Sequence, residues 1–134
     1  MRNVLTYFWV ALGSAVGGVS RYLVGLVAVS WLGGGFPWGT IFINLGGSFV
    51  ITAFAAVTAP GGRLPLGTDA RQFVMVGFCG GYTTFSSFSL ETVTLLERGA
   101  PMAALANVGL SMLFCLAAAW LGHAMALRVN RAFR

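Results

Sequence analysis

Four long apolar runs, separated by short segments rich in glycine and proline, constrain the fold of this chain more than any other feature of its sequence. They cover residues 4–30, 38–58, 70–96 and 101–127. A helix of about 20 apolar residues crosses a bilayer core, so each run is long enough to span a membrane. Because backbone polar groups must be satisfied within the hydrocarbon, we predict an all-α integral membrane fold. It has four transmembrane helices in a single domain, residues 1–134.

The composition excludes a soluble globule and a disordered chain. Hydrophobic residues make up 57% of the 134 residues and charged residues 8%, whereas soluble domains carry about 25% charged residues and disordered chains combine low hydrophobicity with high charge. Eight arginines and three acidic residues give a net charge of +5. The arginines lie mostly at the ends of the apolar runs, where they contact lipid headgroups. We therefore predict membrane lipid as a partner and no binding of nucleic acid.

The third run differs from the others because glycines and hydroxyl residues interrupt it between Gly77 and Glu91. The segment reads Gly-Phe-Cys-Gly-Gly-Tyr-Thr-Thr-Phe-Ser-Ser-Phe-Ser-Leu-Glu. Adjacent glycines weaken a helix, and hydroxyl side chains offer the backbone other hydrogen-bond partners. A break inside a membrane is tolerated only where protein or water covers it, and many membrane proteins bind ions at such breaks. We predict a third helix broken near its middle; the alternative is a continuous, glycine-rich packing helix.

Two polar residues lie inside the first two runs. Arg21 lies some way from either end of the first run, and a buried arginine usually faces a cavity or a partner; alternatively, the helix ends early and the side chain reaches the headgroups. In both cases its positive charge favours anions nearby. Asn44 lies in the middle of the second run, and its amide has two protons to donate to a dehydrated anion. An interhelical hydrogen bond is the alternative role for this amide.

Two phenylalanines in the polar part of the third run are candidates for contact with an anion. Phe85 and Phe88 are three residues apart and share one helical face, with Thr84 directly before them. The edge of an aromatic ring is positive, so ring hydrogens turned toward a path stabilise an anion weakly. Ordinary packing is the alternative.

The fourth run carries a stripe of polar or polarisable side chains on one face. Asn107, Ser111 and Cys115 follow each other at intervals of four residues, which aligns them along a helix. Such a stripe is either an interhelical seam or a series of donors for a partly dehydrated ion. The single histidine, His123, has no carboxylate or cysteine near it in sequence, and no catalytic constellation or zinc spacing is present in the sequence. We therefore predict that the chain is not an enzyme.

These segments together resemble the small four-helix fluoride channels of the Fluc or CrcB family. The similarity lies in four stretches: Gly17-Gly18-x-x-Arg21-Tyr22, Gly39-Thr40, Asn44-Leu45-x-Gly47-Ser48-Phe49, and Gly77-x-x-Gly80-Gly81-x-Thr83-Thr84-Phe85-Ser86-Ser87-Phe88-Ser89-x-Glu91. With the length and the four-run layout, the resemblance covers essentially the whole chain. It implies a fluoride-selective ion channel for passive export across the bacterial plasma (inner) membrane, built as an antiparallel homodimer with two fluoride pathways.

The resemblance also implies roles for individual residues. Asn44 is the pore amide, and the aromatic pair contacts fluoride. The stripe of the fourth run corresponds to a polar track, in which Cys115 stands where a hydroxyl is expected. The other implied pathway residues are Thr84 and Arg21. The implied cofactor is a sodium ion at the two-fold axis of the dimer, held by backbone carbonyls of Gly80 and Thr83 from both subunits.

Two other classes of membrane protein have a similar size. A small four-helix proton-coupled exporter of drugs or cations needs an acid in its first membrane span, where this chain has Arg21, and the only intramembrane acid is Glu91. A non-transporting anchor subunit would account for the glycines but not for the polar break.

The charge pattern conflicts with an antiparallel dimer. Four spans put both termini on one side of the membrane, together with most of the arginines: Arg2, Arg63, Arg71, Arg128, Arg131 and Arg134. Arg98 lies on the opposite side. The positive-inside rule then predicts a single orientation with cytoplasmic termini, whereas the resemblance implies both orientations.

Overall fold

Helices make up nearly all of the part of the chain that the structure, a computed structural model, describes, which is residues 2–132. In chain order they are α1 (Arg2–Leu32), α2 (Trp38–Val57), α3 (Thr68–Gln72), a π-helical segment (Phe73–Cys79), α4 (Gly80–Tyr82), α5 (Phe85–Glu97) and α6 (Pro101–Ala132). No strand occurs within residues 2–132. The prediction of an all-α chain is confirmed.

Three of the helices are long and apolar enough to cross a membrane. They are α1, counted from Val4, together with α2 and α6. Of these, α6 continues past residue 127, where the sequence pattern predicted its end, and runs to Ala132. The predicted helix over residues 70–96 is divided into α3, the π segment, α4 and α5.

Glycines in the left-handed conformation end two of the helices. Gly33 has a φ of +76° directly after α1, and Gly99 has a φ of +72° shortly after α5. A side chain disfavours positive φ, and glycine, which has none, adopts it readily. The connections from α1 to α2 and from α5 to α6 are short as a result, so consecutive helices lie close together.

The glycines of the first and third runs allow two backbones to pack directly against each other. A Cβ atom on Gly17 would overlap the carbonyl oxygen of Phe78, and one on Gly77 would lie 2.8 Å from the carbonyl oxygen of Val10. Close helix contacts of this kind are typical of membrane proteins. Gly81 likewise lies against Ser14, so α1 packs tightly along the π segment and α4.

The predicted break near the middle of the third helix lies at Thr83 and Thr84, which are extended, whereas Gly80–Tyr82 is helical. The glycine pair stays helical because Gly81 is needed for contact with α1, and a well-packed helix tolerates the intrinsic cost of glycine, about 1 kcal/mol.

The second tight pair of helices is α2 and α6. The Thr52 hydroxyl donates a hydrogen bond to the Ala119 carbonyl (2.8 Å), and Gly122 leaves room for Phe49 and Thr52. The core contains small or β-branched residues such as Ile41, which is fully buried. Most large apolar side chains of α1 and α6 are exposed, as expected of helices that face lipid.

Polar contacts connect the helix ends on one side of the molecule. Arg71 donates to the Ala55 carbonyl (3.2 Å) and to the Thr58 hydroxyl. Asn130 donates to the Ala56 carbonyl (3.0 Å) and accepts from the backbone N–H of Arg63 (2.9 Å). Arg63 and Arg71 therefore both lie at this end, whereas Arg134 and the side chain of Arg2, which entered the topology prediction, lie outside the described residues.

Candidate functional site

The break between α4 and α5 is held by hydrogen bonds at both of its ends. The N–H and the hydroxyl of Thr83 both donate to the Cys79 carbonyl (3.0 and 2.9 Å). The Thr84 hydroxyl accepts from the Ser87 N–H (3.1 Å) and thereby caps the N-terminus of α5. Threonine is a favoured residue at this position, which explains locally why the hydroxyl-rich sequence ends one helix and begins another.

The side chain of Asn44 satisfies the backbone that the break leaves unpaired. Its Nδ2 donates to the Thr84 carbonyl (3.0 Å), and its Oδ1 accepts from the Thr84 N–H (2.7 Å). Buried backbone groups without a partner are costly, so this amide fixes the break against α2. The second Nδ2 proton has no acceptor among the described residues, and it remains available to a ligand.

A cavity of about 330 Å³ lies beside this break. Five of the predicted fluoride-pathway residues border it, from α2, α5, α6 and the break itself: Asn44, Thr84, Phe85, Phe88 and Ser111. They come from three apolar runs, and the fold brings them to one space. Cys115 and Ser48 border it as well.

The two phenylalanine rings stand together at this cavity. Their centroids are 5.3 Å apart and their planes are inclined by 46°. Phe88 is half-buried, whereas Phe85 is 76% exposed. Neither ring is confined to the packed interior of a single chain, so packing within one chain does not account for their position.

Asn107 is more deeply buried than its place in the polar stripe of the fourth run predicted. It is fully buried, donates to the Thr92 hydroxyl (2.9 Å) and accepts from the Ser111 hydroxyl (3.4 Å). It does not border the cavity, whereas Ser111 and Cys115 do. Within a single chain, Asn107 therefore positions Ser111 and connects α6 to α5. Sequence reasoning missed Thr92, whose only signal is its place one helical turn after Phe88.

A second cavity, of about 680 Å³, lies on the other side of the break. Arg21, which is half-buried, borders it together with Arg98, Thr40 and Glu91. Thr84 borders both cavities. The first cavity, called the narrower cavity below, and the second, called the wider cavity, therefore meet at the break. The wider cavity has arginine charge at its wall, and the narrower cavity has amide, hydroxyl and ring groups.

Thr40 and Glu91, which both border the second cavity, are joined by a hydrogen bond. The Thr40 hydroxyl donates to Oε1 of Glu91 at 2.7 Å, while Oε2 is buried and has no hydrogen-bond partner among the described residues. Sequence reasoning considered Glu91 only as the acid that an exporter would need, and it did not assign a site role to Thr40 or Arg98. Thr40 lies 51 residues before Glu91, so no local pattern relates the two.

The carbonyls predicted to hold sodium lie at the two ends of α4, since Gly80 is its first residue and Thr83 follows its last. The Thr84 N–H donates to Asn44, so the Gly80 carbonyl does not receive the hydrogen bond that a continuous helix would give it from that group. Gly80 is exposed, and a Cβ there would meet no atom within 4 Å. Carbonyl oxygens are the kind of ligand that suits a hard cation.

Comparison with known protein families identifies the family to which this chain is similar. Residues 8–123 match the model of the family described as CrcB-like protein, Camphor Resistance (CrcB). The chain belongs to the CrcB family.

Relatives in the CrcB family are similar to this chain along almost its whole length. A protein of Rhodopseudomonas palustris named fluoride-specific ion channel FluC 1 is 55% identical over 125 residues, covering 93% of this chain and 89% of the relative. The fluoride-specific ion channel FluC of Rhodospirillum rubrum is 55% identical over 127 residues, covering 94% and 98%. That of Methylocella silvestris is 48% identical over 127 residues, covering 95% and 97%.

The matched CrcB region contains the complete candidate site. It begins before Arg21 and ends after Cys115, so it includes both cavities, the break between them and the Asn44 contact that holds the break. The similarity therefore concerns the part of the chain that could handle an ion and not only the lipid-facing surfaces.

Proposed function

We propose that this chain is a fluoride-specific ion channel, and not an enzyme, that lets fluoride leave the cell passively. The relatives of the CrcB family carry this name, and the observation that supports it in this chain is the meeting of two differently lined cavities at Thr84. A small anion that leaves water needs donors in place of its hydration shell. The two cavities supply such donors in succession.

The route that we propose starts at the wider cavity. Arg21 raises the local concentration of anions there, because a cleft lined by positive charge concentrates the field. The ion then passes Thr84 and meets the free Nδ2 proton of Asn44, the edges of Phe85 and Phe88, and the Ser111 hydroxyl. Each of these groups presents positive density without a full charge, so the ion is stabilised but not trapped.

Efflux from liposomes tests the channel function directly. Purified protein in vesicles loaded with potassium fluoride is expected to release fluoride to an external electrode when valinomycin carries potassium, with no proton gradient applied. Vesicles without protein give the background. A proton-coupled cation exporter would release no fluoride, and its cation transport would require a proton gradient and be lost in Glu91→Gln.

We further propose that residues 68–97 form a fourth membrane crossing and that two chains associate in antiparallel orientation, giving two pathways. The exposure of Phe85 and Gly80, which both border the narrower cavity, supports this arrangement. A two-fold axis in the membrane plane would bring a second chain against that open side. Each pathway would then be lined by both chains, in the bacterial inner membrane.

Cysteine labelling tests the orientation against the charge bias. Arg134→Cys, in a chain whose two native cysteines are changed to serine, is expected to react in intact cells with a membrane-impermeant reagent in about half of the molecules, because dual insertion places half of the termini outside. Labelling of permeabilised cells measures the total number of termini on both sides of the membrane. Labelling that occurs only after permeabilisation would show a single orientation and contradict the antiparallel dimer.

Sodium is proposed at the two-fold axis of this dimer, held by the Gly80 and Thr83 carbonyls of both chains. Purified protein is expected to melt at a higher temperature in sodium than in N-methylglucamine, since binding at 100 times the dissociation constant contributes about 2.7 kcal/mol. Potassium, a larger ion of the same charge, is the control and should stabilise less. Equal melting temperatures in the three cations would exclude the site.

A further inference from the structure

Four sulfur-bearing side chains border the narrower cavity. Met75 and Cys79 come from the π segment, and Met112 and Cys115 come from α6; we call these four residues the sulfur cluster. Both cysteines are free. The proposed passage of fluoride uses none of these sulfur atoms, so the sulfur cluster requires a separate explanation.

The spacing along each element places the sulfur-bearing side chains in neighbouring pairs. Met112 and Cys115 are three residues apart on α6, and side chains at this spacing are neighbours with Cβ atoms about 5–6 Å apart. Met75 and Cys79 are four residues apart on the wall formed by the π segment. Met112 is 57% exposed and Cys115 half-buried, whereas Cys79 is 2% exposed. Within a single chain, the α6 pair is therefore the more exposed part of the sulfur cluster.

The chemistry of the sulfur cluster selects a soft ion. Thiolate and thioether ligands favour Cu(I) and similar soft cations over hard ones, and such ions accept two sulfur ligands in a linear arrangement. A structural zinc site takes four ligands from cysteine, histidine or carboxylate, whereas two thiols border this cavity. The ligand set therefore fits a monovalent cation better than zinc.

We propose that the sulfur cluster binds one soft monovalent cation, of the class of Ag⁺ or Cu⁺, and that the bound ion closes the narrower cavity to anions. The Cys115 sulfur anchors the cation and the Met112 thioether is the second ligand. As the metal–sulfur bond forms, the Cys115 S–H bond breaks and its proton passes to water, so no redox partner is required. The neutral thiolate–cation pair obstructs the cavity by its volume.

Calorimetric titration with Ag⁺, in chloride-free buffer, tests binding without reference to transport. The native chain is expected to bind one Ag⁺, and Cys115→Ser to lose this binding. Met112→Leu should weaken it about tenfold or more, since even outer partners of metal ligands change affinity by 10–100-fold. Met125→Leu is the matched control, because Met125 lies on the same helix, is 53% exposed and does not border the cavity; its affinity should be unchanged.

Fluoride efflux then tests the obstruction, with each variant compared with its own flux without Ag⁺. Ag⁺ is expected to block the native chain and Met125→Leu at the same concentration and to leave the flux of Cys115→Ser unaffected. Equal sensitivity of Cys115→Ser and the native chain would overturn the proposal, as would block that is lost only in Cys79→Ser. The proposal goes beyond the channel function: absence of any efflux would refute that function, while the titration would still decide the cation site.

Discussion

Asn44→Asp is expected to abolish fluoride flux and to destabilise the break between α4 and α5. An ionised carboxylate still accepts from the Thr84 N–H, but it cannot donate to the Thr84 carbonyl, as Nδ2 does at 3.0 Å. The carbonyl then faces a negative charge without a hydrogen bond, and an unmade hydrogen bond of a buried group costs about 1–3 kcal/mol. The same charge repels an anion from the narrower cavity.

Liposome efflux and thermal unfolding measure the two effects separately. We expect flux to fall by about 100-fold or more, since each 1.36 kcal/mol added to a barrier slows passage about tenfold and the substitution both removes a donor and adds a repulsive charge. Unimpaired flux in Asn44→Asp would show that the amide only connects helices, which is the alternative that the sequence left open.

Asn130→Asp is the matched control for this change. Asn130 makes the same pair of contacts, donating to a carbonyl and accepting from a backbone N–H, but it lies at the ends of α2 and α6 and borders neither cavity. It should lose some stability while fluoride still passes. The comparison therefore separates the loss of an amide contact from the loss of a pore group.

Local sequence patterns predicted the helices and the interrupted third run, but not the contacts that organise the site. The Thr84 cap follows from its own neighbours, because hydroxyl side chains bind nearby backbone groups. The Asn44–Thr84 contact joins residues 40 positions apart, and Thr40–Glu91 joins residues 51 apart. Such pairs depend on how the helices pack, and no periodicity within one helix contains that information.

The glycines of the third run do not by themselves predict at which residue the helix breaks. The pair Gly80-Gly81 fits a helix break and a close helix contact equally well by composition, and only the proximity of Ser14 to Gly81 decides between them. The π segment at Phe73–Cys79 had no signal in the sequence at all. Its wider turn depends on tertiary packing, because no residue in that stretch is specific for π geometry.

Replacing Phe85 or Phe88 with isoleucine is expected to remove most of the fluoride flux while the chain remains folded. Isoleucine keeps an apolar side chain at the cavity but lacks the positive ring edge. We expect each substitution to slow efflux roughly tenfold, which corresponds to about 1.4 kcal/mol of lost stabilisation at the barrier. Phe85 is 76% exposed in a single chain, and its loss therefore costs little packing within that chain.

Phe114→Ile gives the comparison that separates ring chemistry from bulk. Phe114 lies on α6, is 37% exposed and borders neither cavity, so this variant should conduct fluoride like the native chain. Unfolding temperature and elution volume, measured for all three variants, establish that the fold and assembly are retained. Native flux in both Phe85→Ile and Phe88→Ile would refute direct contact between the rings and fluoride, because two adjacent rings cannot each line the path and each be dispensable.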